Sequence, residues 1–207
     1  MSAPAGRGRS VAPRCSRRAI VALSLSLAAL GCGSSIPIRY YTLEGPALEP
    51  SGGTAAGALR VGVEPIDVAA PYDQDRIAYR PPDARHEIAF YHYHRWAMPT
   101  SRALQVGLAG ALDRREGIEA EPVSATGSYD AIVGGRVTRL EEVDESEASI
   151  RVVLEMIAER RDPGGDSPLA LTLGAPVEAR TVESVVAALS DTLDQAAAKI
   201  ASELLGR

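Results

Sequence analysis

From Thr181 onward the apolar positions Val182, Val185, Val186, Leu189, Leu193, Ala196, Ala197, Ile200 and Leu204 recur with a period near 3.6. That spacing draws one continuous stripe and predicts a long amphipathic helix. A second helix is expected after Pro99. This proline holds Met98 extended and opens a helix, Thr100 or Ser101 can cap it, and Leu104, Leu108, Ala111 and Leu112 supply the buried face. Arg114, Arg115 and Gly117 read as its stop, and Gly107 and Gly110 as points of close packing on a sheet. Period-two alternation marks strands instead. LRVGVEPIDV, beginning at Leu59, alternates Leu59, Val61 and Val63 with polar neighbours, and ASIRVVLEMIAER places Ile150, Val152, Leu154 and Met156 on one face. YDAIVGGRVTRL is its expected partner, joined to it by the acidic EEVDESE, which reads as a solvated hairpin end, and DPGGDSP reads as a turn. The order strands, helix, strands, helix predicts an α+β fold: two layers, with two helices on one face of a mainly antiparallel, mixed sheet.

The N-terminal pattern is of another kind. Residues 1–31 hold Arg7, Arg9, Arg14, Arg17 and Arg18 with no acid, followed by the apolar run Ala19–Leu30, twelve residues that are too few for a permanent membrane span. The run ends in ALGCGSS, which resembles a bacterial lipobox, with Ala29, Leu30 and Gly31 ahead of Cys32. The resemblance implies cleavage before Cys32, attachment of lipid to its sulfur, and, with Gly33 following, sorting to the outer membrane. The chain is thus divided into a lipoprotein signal peptide over 1–31, a Gly-, Ser- and Pro-rich tether over 32–57 with a short ordered segment RYYTL, and a single α+β domain over 58–207.

Composition sharpens this division. The two cysteines are Cys15, inside the signal, and Cys32, so lipidation leaves the mature chain without a free thiol for a disulfide or a metal. Removing the five arginines leaves 17 basic against 27 acidic residues, a formal charge of −10. So acidic a chain is a poor partner for nucleic acid or for anionic headgroups, and membrane attachment is expected from the lipid alone.

The densest candidate chemistry is FYHYHRW, Phe90 to Trp96. On one strand His92 and His94 would share a face about 7 Å apart, while His86 would lie about 20 Å away. A metal site there needs a carboxylate from elsewhere, so no metal ligand, cofactor or catalytic residue is assigned. A nucleophile elbow, a phosphate-binding glycine loop and a zinc-protease motif are all missing from the sequence, and GGRVT reads as strand interior. Tyrosines and arginines are enriched at interface hot spots, which makes Tyr72, Arg76, Arg80, Tyr91 and Tyr93 the candidate partner contacts, with core packing and a sheet edge as the alternative.

Four segments in order resemble the ABC-type transport auxiliary lipoproteins, the PqiC-like group associated with MCE-type lipid transport. They are Arg39, Tyr40, Tyr41, Thr42 and Leu43; PYDQDRIAYR through Pro71, Tyr72, Asp75, Arg76, Ile77 and Arg80; Arg95, Trp96, Ala97 and Pro99 ahead of a helix; and the closing VVAALSDTLDQAAAKIASEL. The resemblance implies a non-enzymatic outer-membrane lipoprotein facing the periplasm. Its partners would be an inner-membrane ABC transporter and an MCE-domain substrate-binding protein, with a homo-oligomeric ring as a further expectation. Two other readings stay open: a periplasmic metal-dependent hydrolase using His92 and His94, and an envelope-assembly lipoprotein without an ABC partner.

Overall fold

The computed structural model describes residues 35–43, 57–84, 86–146, 149–162 and 165–206, so Cys32 and the signal segment lie outside the described residues. The folded unit begins at Ile38. Its strands are β1 (Arg39–Tyr41), β2 (Leu59–Val63), β3 (Asp67–Val68), β4 (Arg76–Arg80), β5 (Ala89–Trp96), β6 (Ile118–Pro122), β7 (Ala131–Ser146), β8 (Ser149–Asp162) and β9 (Gly165–Pro176). Helix α1 (Thr100–Asp113) joins β5 to β6, and α2 (Val182–Leu204) closes the chain. Two helices beside one large mixed sheet bear out the α+β reading.

The sheet is organised around β7. One side of β7 pairs antiparallel with β8 from Ile132↔Arg161 to Ser146↔Ser149. Its other side is lined in turn by three short parallel strands: β2 (Val61↔Ala131), β3 (Asp67↔Arg136) and β4 (Tyr79↔Glu142). The segment 59–80 therefore runs along β7 as a strand interrupted twice, and the second interruption, 69–75, holds Tyr72. Beyond this row, β6 pairs with β2, β5 with β4, and β1 with β5. The Gly134–Gly135 pair lies inside β7, opposite Glu159 and Ala158.

Several local expectations are revised. The β8–β9 ladder starts at Asp162↔Gly165, so most of DPGGDSP is strand and not turn. Pro168 is accommodated because β9 pairs with β8 alone and is an edge, where a missing N–H costs no ladder bond. The acidic run lies in β7 as far as Ser146, where the strand turns to β8; Glu145 near that hairpin end is exposed, but Glu141 and Glu142, expected to be solvated, are buried. Helix α1 has Pro99 at its N-cap with no side-chain cap, because Thr100 Oγ1 donates instead to the Gln74 carbonyl at 2.6 Å. Helix α2 is capped conventionally, Thr181 Oγ1 accepting from the Ser184 amide at 3.2 Å.

The core lies between the helices and the sheet face carrying Val61, Val63, Val133, Val137, Val152, Leu154 and Met156. Onto it pack Leu104, Leu108 and Leu112 of α1 and Val185, Leu189, Leu193 and Ile200 of α2, each large aliphatic side chain contributing roughly 1.5–3 kcal/mol by burial. Gln105, buried within this layer, donates to the Val63 carbonyl at 2.6 Å and so ties α1 to the end of β2. Gly107 faces Leu193 of α2 and the Leu43 carbonyl, not the sheet.

Candidate functional site

Two neighbourhoods gather the residues singled out in the sequence. The first is built on Glu141, whose side chain is 0% exposed. Its Oε1 accepts from Arg80 Nε at 3.0 Å and Arg139 Nε at 2.6 Å, and its Oε2 accepts from Arg80 at 3.1 Å and from Tyr72 Oη at 2.8 Å. Arg139 also reaches Glu155 at 3.3 Å. Burial opposes ionisation of Glu141, but the bonds from Arg80, Arg139 and Tyr72 outweigh it and hold the carboxyl below its ordinary value. Burial, together with donation to Glu141, pushes the Tyr72 hydroxyl up to about 12. With four donors on two oxygens, this carboxylate works as a fastener between the 69–75 loop, β4 and β7. Tyr72 and Arg80 are thus brought together in an interior network. An open cleft of about 600 Å³ beside it is lined by Arg80, Pro81, Pro82, Arg139, Val143, Asp144 and Glu145.

The next residue along β7 faces the other way. Glu142 accepts from Tyr91 Oη at 2.7 Å, and the Tyr91 ring lies 4.8 Å from that of Tyr79. Burial raises the Glu142 carboxyl above its ordinary value, and nearby Asp144 adds to the rise against the bond from Tyr91. Burial likewise raises the Tyr91 hydroxyl, together with its bond to Glu142.

The second neighbourhood is the β1–β5 edge. β1 runs parallel to β5 with Arg39 opposite His94 and Tyr41 opposite Trp96. Tyr41 Oη lies 2.8 Å from His94 Nδ1 and donates to Glu183 at 3.3 Å, while Arg39 pairs with Glu183 at 2.9 Å. Leu43 and Trp96 are buried in the core. The RYYTL segment is therefore strapped to the first turn of α2.

Strand β5 does not keep its alternation. Its register with β4 passes from Ala78↔Phe90 to Arg76↔Arg95, so five steps on β5 oppose two on β4. As a result Tyr91 and His94 turn their rings together, 5.6 Å apart, while His92 is exposed and, among the described residues, its ring meets only that of the neighbouring Tyr93. Even spacing gives His92 and His94 a shared face only on a regular strand, and here the register is broken between Phe90 and Arg95. Among the described residues no group of three or more His, Cys, Asp or Glu is placed to hold a metal ion. Of the five candidate partner contacts, Tyr72 and Arg80 are committed to Glu141 and Tyr91 to Glu142, Arg76 sits half-buried at the bulge, and Tyr93 is exposed. The sequence reasoning missed Glu141, Glu142 and Arg139. The signal available was the Arg-x-Glu spacing of Arg139 and Glu141, which puts the two on one face of a strand.

A family model described as "ABC-type transport auxiliary lipoprotein component" matches residues 41–201. No curated protein matches the chain. Among solved structures, one described as an uncharacterized protein superposes with a TM-score of 0.64 at 17% identity, covering 82% of this chain and 99% of the other. A Xanthomonas campestris protein of the DUF330 family superposes with a TM-score of 0.60 at 19% identity, covering 82% and 93%. At these identities the two structures establish a shared fold.

Proposed function

Because the chain belongs to the family of ABC-type transport auxiliary lipoprotein components, we propose that it is a non-catalytic, outer-membrane lipoprotein facing the periplasm. In this reading it assists an inner-membrane ABC transporter and its MCE-domain substrate-binding protein in moving lipid between the two membranes. The observation that carries the proposal is the family match over residues 41–201, nearly the whole folded unit. The lipobox-like ALGCGSS supports an anchor on Cys32. The commitment of Glu141 to four donors supports a structural role for the most buried charge, since no lone pair is left to accept a proton from a substrate. Docking surfaces, with self-association into a ring, would then do the work that a catalytic group does in an enzyme.

The test has two arms. Metabolic labelling with a palmitate analogue should mark the wild-type protein, and Cys32→Ala should lose the label and leave the outer-membrane fraction. Purification from membranes after crosslinking should recover the ABC transporter and the MCE-domain protein. An unlabelled wild type sinks the anchor, and a labelled protein that recovers neither partner sinks the transport assignment while leaving the anchor in place.

A further inference from the structure

We propose that Ile38, Tyr40 and Tyr93, at the β1–β5 edge, form a membrane-facing surface that seats the folded unit against the phospholipid headgroup layer of the membrane holding its own anchor; this rests on lipidation of Cys32. Among the described residues of the folded unit, five large apolar or aromatic side chains are prominently exposed, and three of them belong to this edge: Tyr40 at 64%, Ile38 at 43% and Tyr93 at 43%. Their common side follows from the register. Tyr41 and Trp96 pack with the core and Arg39 turns to Glu183 at the start of α2, so alternation directs Tyr40 and Arg95 to the opposite face of the sheet. Extending the Arg39↔His94 pairing by one position sets Ile38 beside Tyr93.

Chain length says what covers this face. Arg39 is seven chain steps from Cys32, with six residues between them, so the strand cannot lie more than about 25 Å from the lipidated residue. A domain of this size is about 40 Å across, so the connection is too short to carry the lipid round to a distant face. The edge that β1 occupies is the part of the fold kept nearest the bilayer. RYYTL thus turns a segment expected to be a loose tether into a short leash.

The chemistry of the edge matches that position. Tyrosine has an apolar ring and a polar tip and concentrates at membrane–water interfaces, and an isoleucine side chain suits the boundary with the acyl chains. Two cations beside the patch are matched, Arg95 by Asp75 at 2.6 Å and Arg39 by Glu183 at 2.9 Å, and Arg76, opposite Arg95 on β4, is half-buried. Attachment is therefore apolar in origin and suits a chain too acidic for electrostatic attraction to anionic headgroups. Three side chains are too few to recruit a free domain to lipid. Once the anchor is inserted, the contact becomes intramolecular and weak affinity suffices to orient the domain.

The mature chain has no cysteine besides the lipidated one, so single reporters can be introduced into the full-length lipoprotein. Tyr40→Cys, Tyr93→Cys and, as a reference on an exposed position of β8, Ile157→Cys are labelled with an environment-sensitive dye. Each is reconstituted into phosphatidylethanolamine–phosphatidylglycerol vesicles containing lipids brominated on the acyl chains. The expected result is a blue shift and several-fold stronger quenching at 40 and 93 than at 157, insensitive to salt, with quenching at 93 lost in Ile38→Asp/Tyr40→Asp. Equal, water-like signals at all three positions would overturn the proposal. So would shielding of 40 and 93 only after addition of the MCE-domain protein, which would identify a protein interface instead. Protein that fails to float with the vesicles removes the anchor and the proposal together. Protein that floats with unquenched labels removes the membrane-facing surface alone.

Discussion

Tyr72 Oη donates a 2.8 Å hydrogen bond to Glu141 Oε2, joining a loop before β4 to the middle of β7 across 69 positions of sequence. The same carboxylate takes Arg80 and Arg139, so one buried charge pins three segments. Removing it leaves two guanidiniums facing each other, and breaking a buried pair from one side costs on the order of 3–5 kcal/mol. Glu141→Gln should therefore destabilise the protein by about 3 kcal/mol in urea denaturation. Tyr72→Phe, which removes one bond to a charged acceptor, should cost about 2 kcal/mol. The double variant should lose less than the sum, because the two residues share a network. Strict additivity would show that the bond contributes little.

The adjacent glutamates should respond to pH in opposite senses. Glu141 titrates below its ordinary value in the folded protein, so its contribution is present above the ordinary glutamate range and is lost as pH falls through the folded value. Glu142 titrates above its ordinary value, so folding favours its protonated form, and that contribution, full below the ordinary range, is lost as pH rises through the folded value. Glu142→Gln keeps an acceptor for Tyr91 and removes the buried charge. It should be more stable than wild type at neutral pH, with the difference closing as pH falls from the raised folded value to the ordinary glutamate range, about pH 4. The deficit of Glu141→Gln should shrink only at lower pH, as pH falls below the ordinary glutamate range toward the lowered folded value. Denaturation midpoints measured from acid to neutral pH decide both, and parallel curves for the two variants would contradict the assignment.

What could be read from the sequence follows from how local each signal is. Helix α2 and the β7–β8 ladder were legible because their apolar periods, 3.6 and 2, extend over many residues. β9 was hidden by Pro168, Gly174 and its small side chains, which are tolerable on an edge strand but resemble a loop in sequence. The Glu141 network could not be read because an acidic run normally predicts solvent exposure. The partners that make its burial affordable, Tyr72 and Arg80, arrive from another strand row. The β5 bulge was equally opaque, since it reflects pairing with β4 and has no glycine to mark it.

Two glycines of α1 should answer alanine substitution with opposite signs. A Cβ on Gly107 would come within 2.7 Å of Leu193 Cδ2 and 3.0 Å of the Leu43 carbonyl oxygen. A Cβ on Gly110 would meet nothing nearer than the Arg114 guanidinium at 3.7 Å. Gly110→Ala should gain about 1 kcal/mol of helix propensity. Gly107→Ala has the same gain available but must separate α1 from α2 and from the β1 segment, and overpacking of this kind costs about 1–3 kcal/mol. Thermal melts of the two single variants are sufficient, and equal shifts in one direction would show that the helix–helix contact yields freely.

The attachment of β1 sets the last expectation. Its ion pair, Arg39 with Glu183, is exposed and screened by solvent and so contributes little, whereas Leu43 is buried in the core beneath α1. Truncating a buried leucine to alanine costs on the order of 2–5 kcal/mol, so Leu43, and not the ion pair, should decide whether β1 stays paired. The reporter is the Ala97 amide, which donates to the Tyr41 carbonyl at 2.8 Å and should exchange slowly only while β1 is in place. In Leu43→Ala that amide should lose its hydrogen-exchange protection while amides inside α2 keep theirs. Glu183→Gln should leave it nearly unchanged. If protection at Ala97 falls only together with that of α2, β1 detaches by global unfolding; if it falls as far in Glu183→Gln as in Leu43→Ala, the polar latch and not the buried leucine holds the strand.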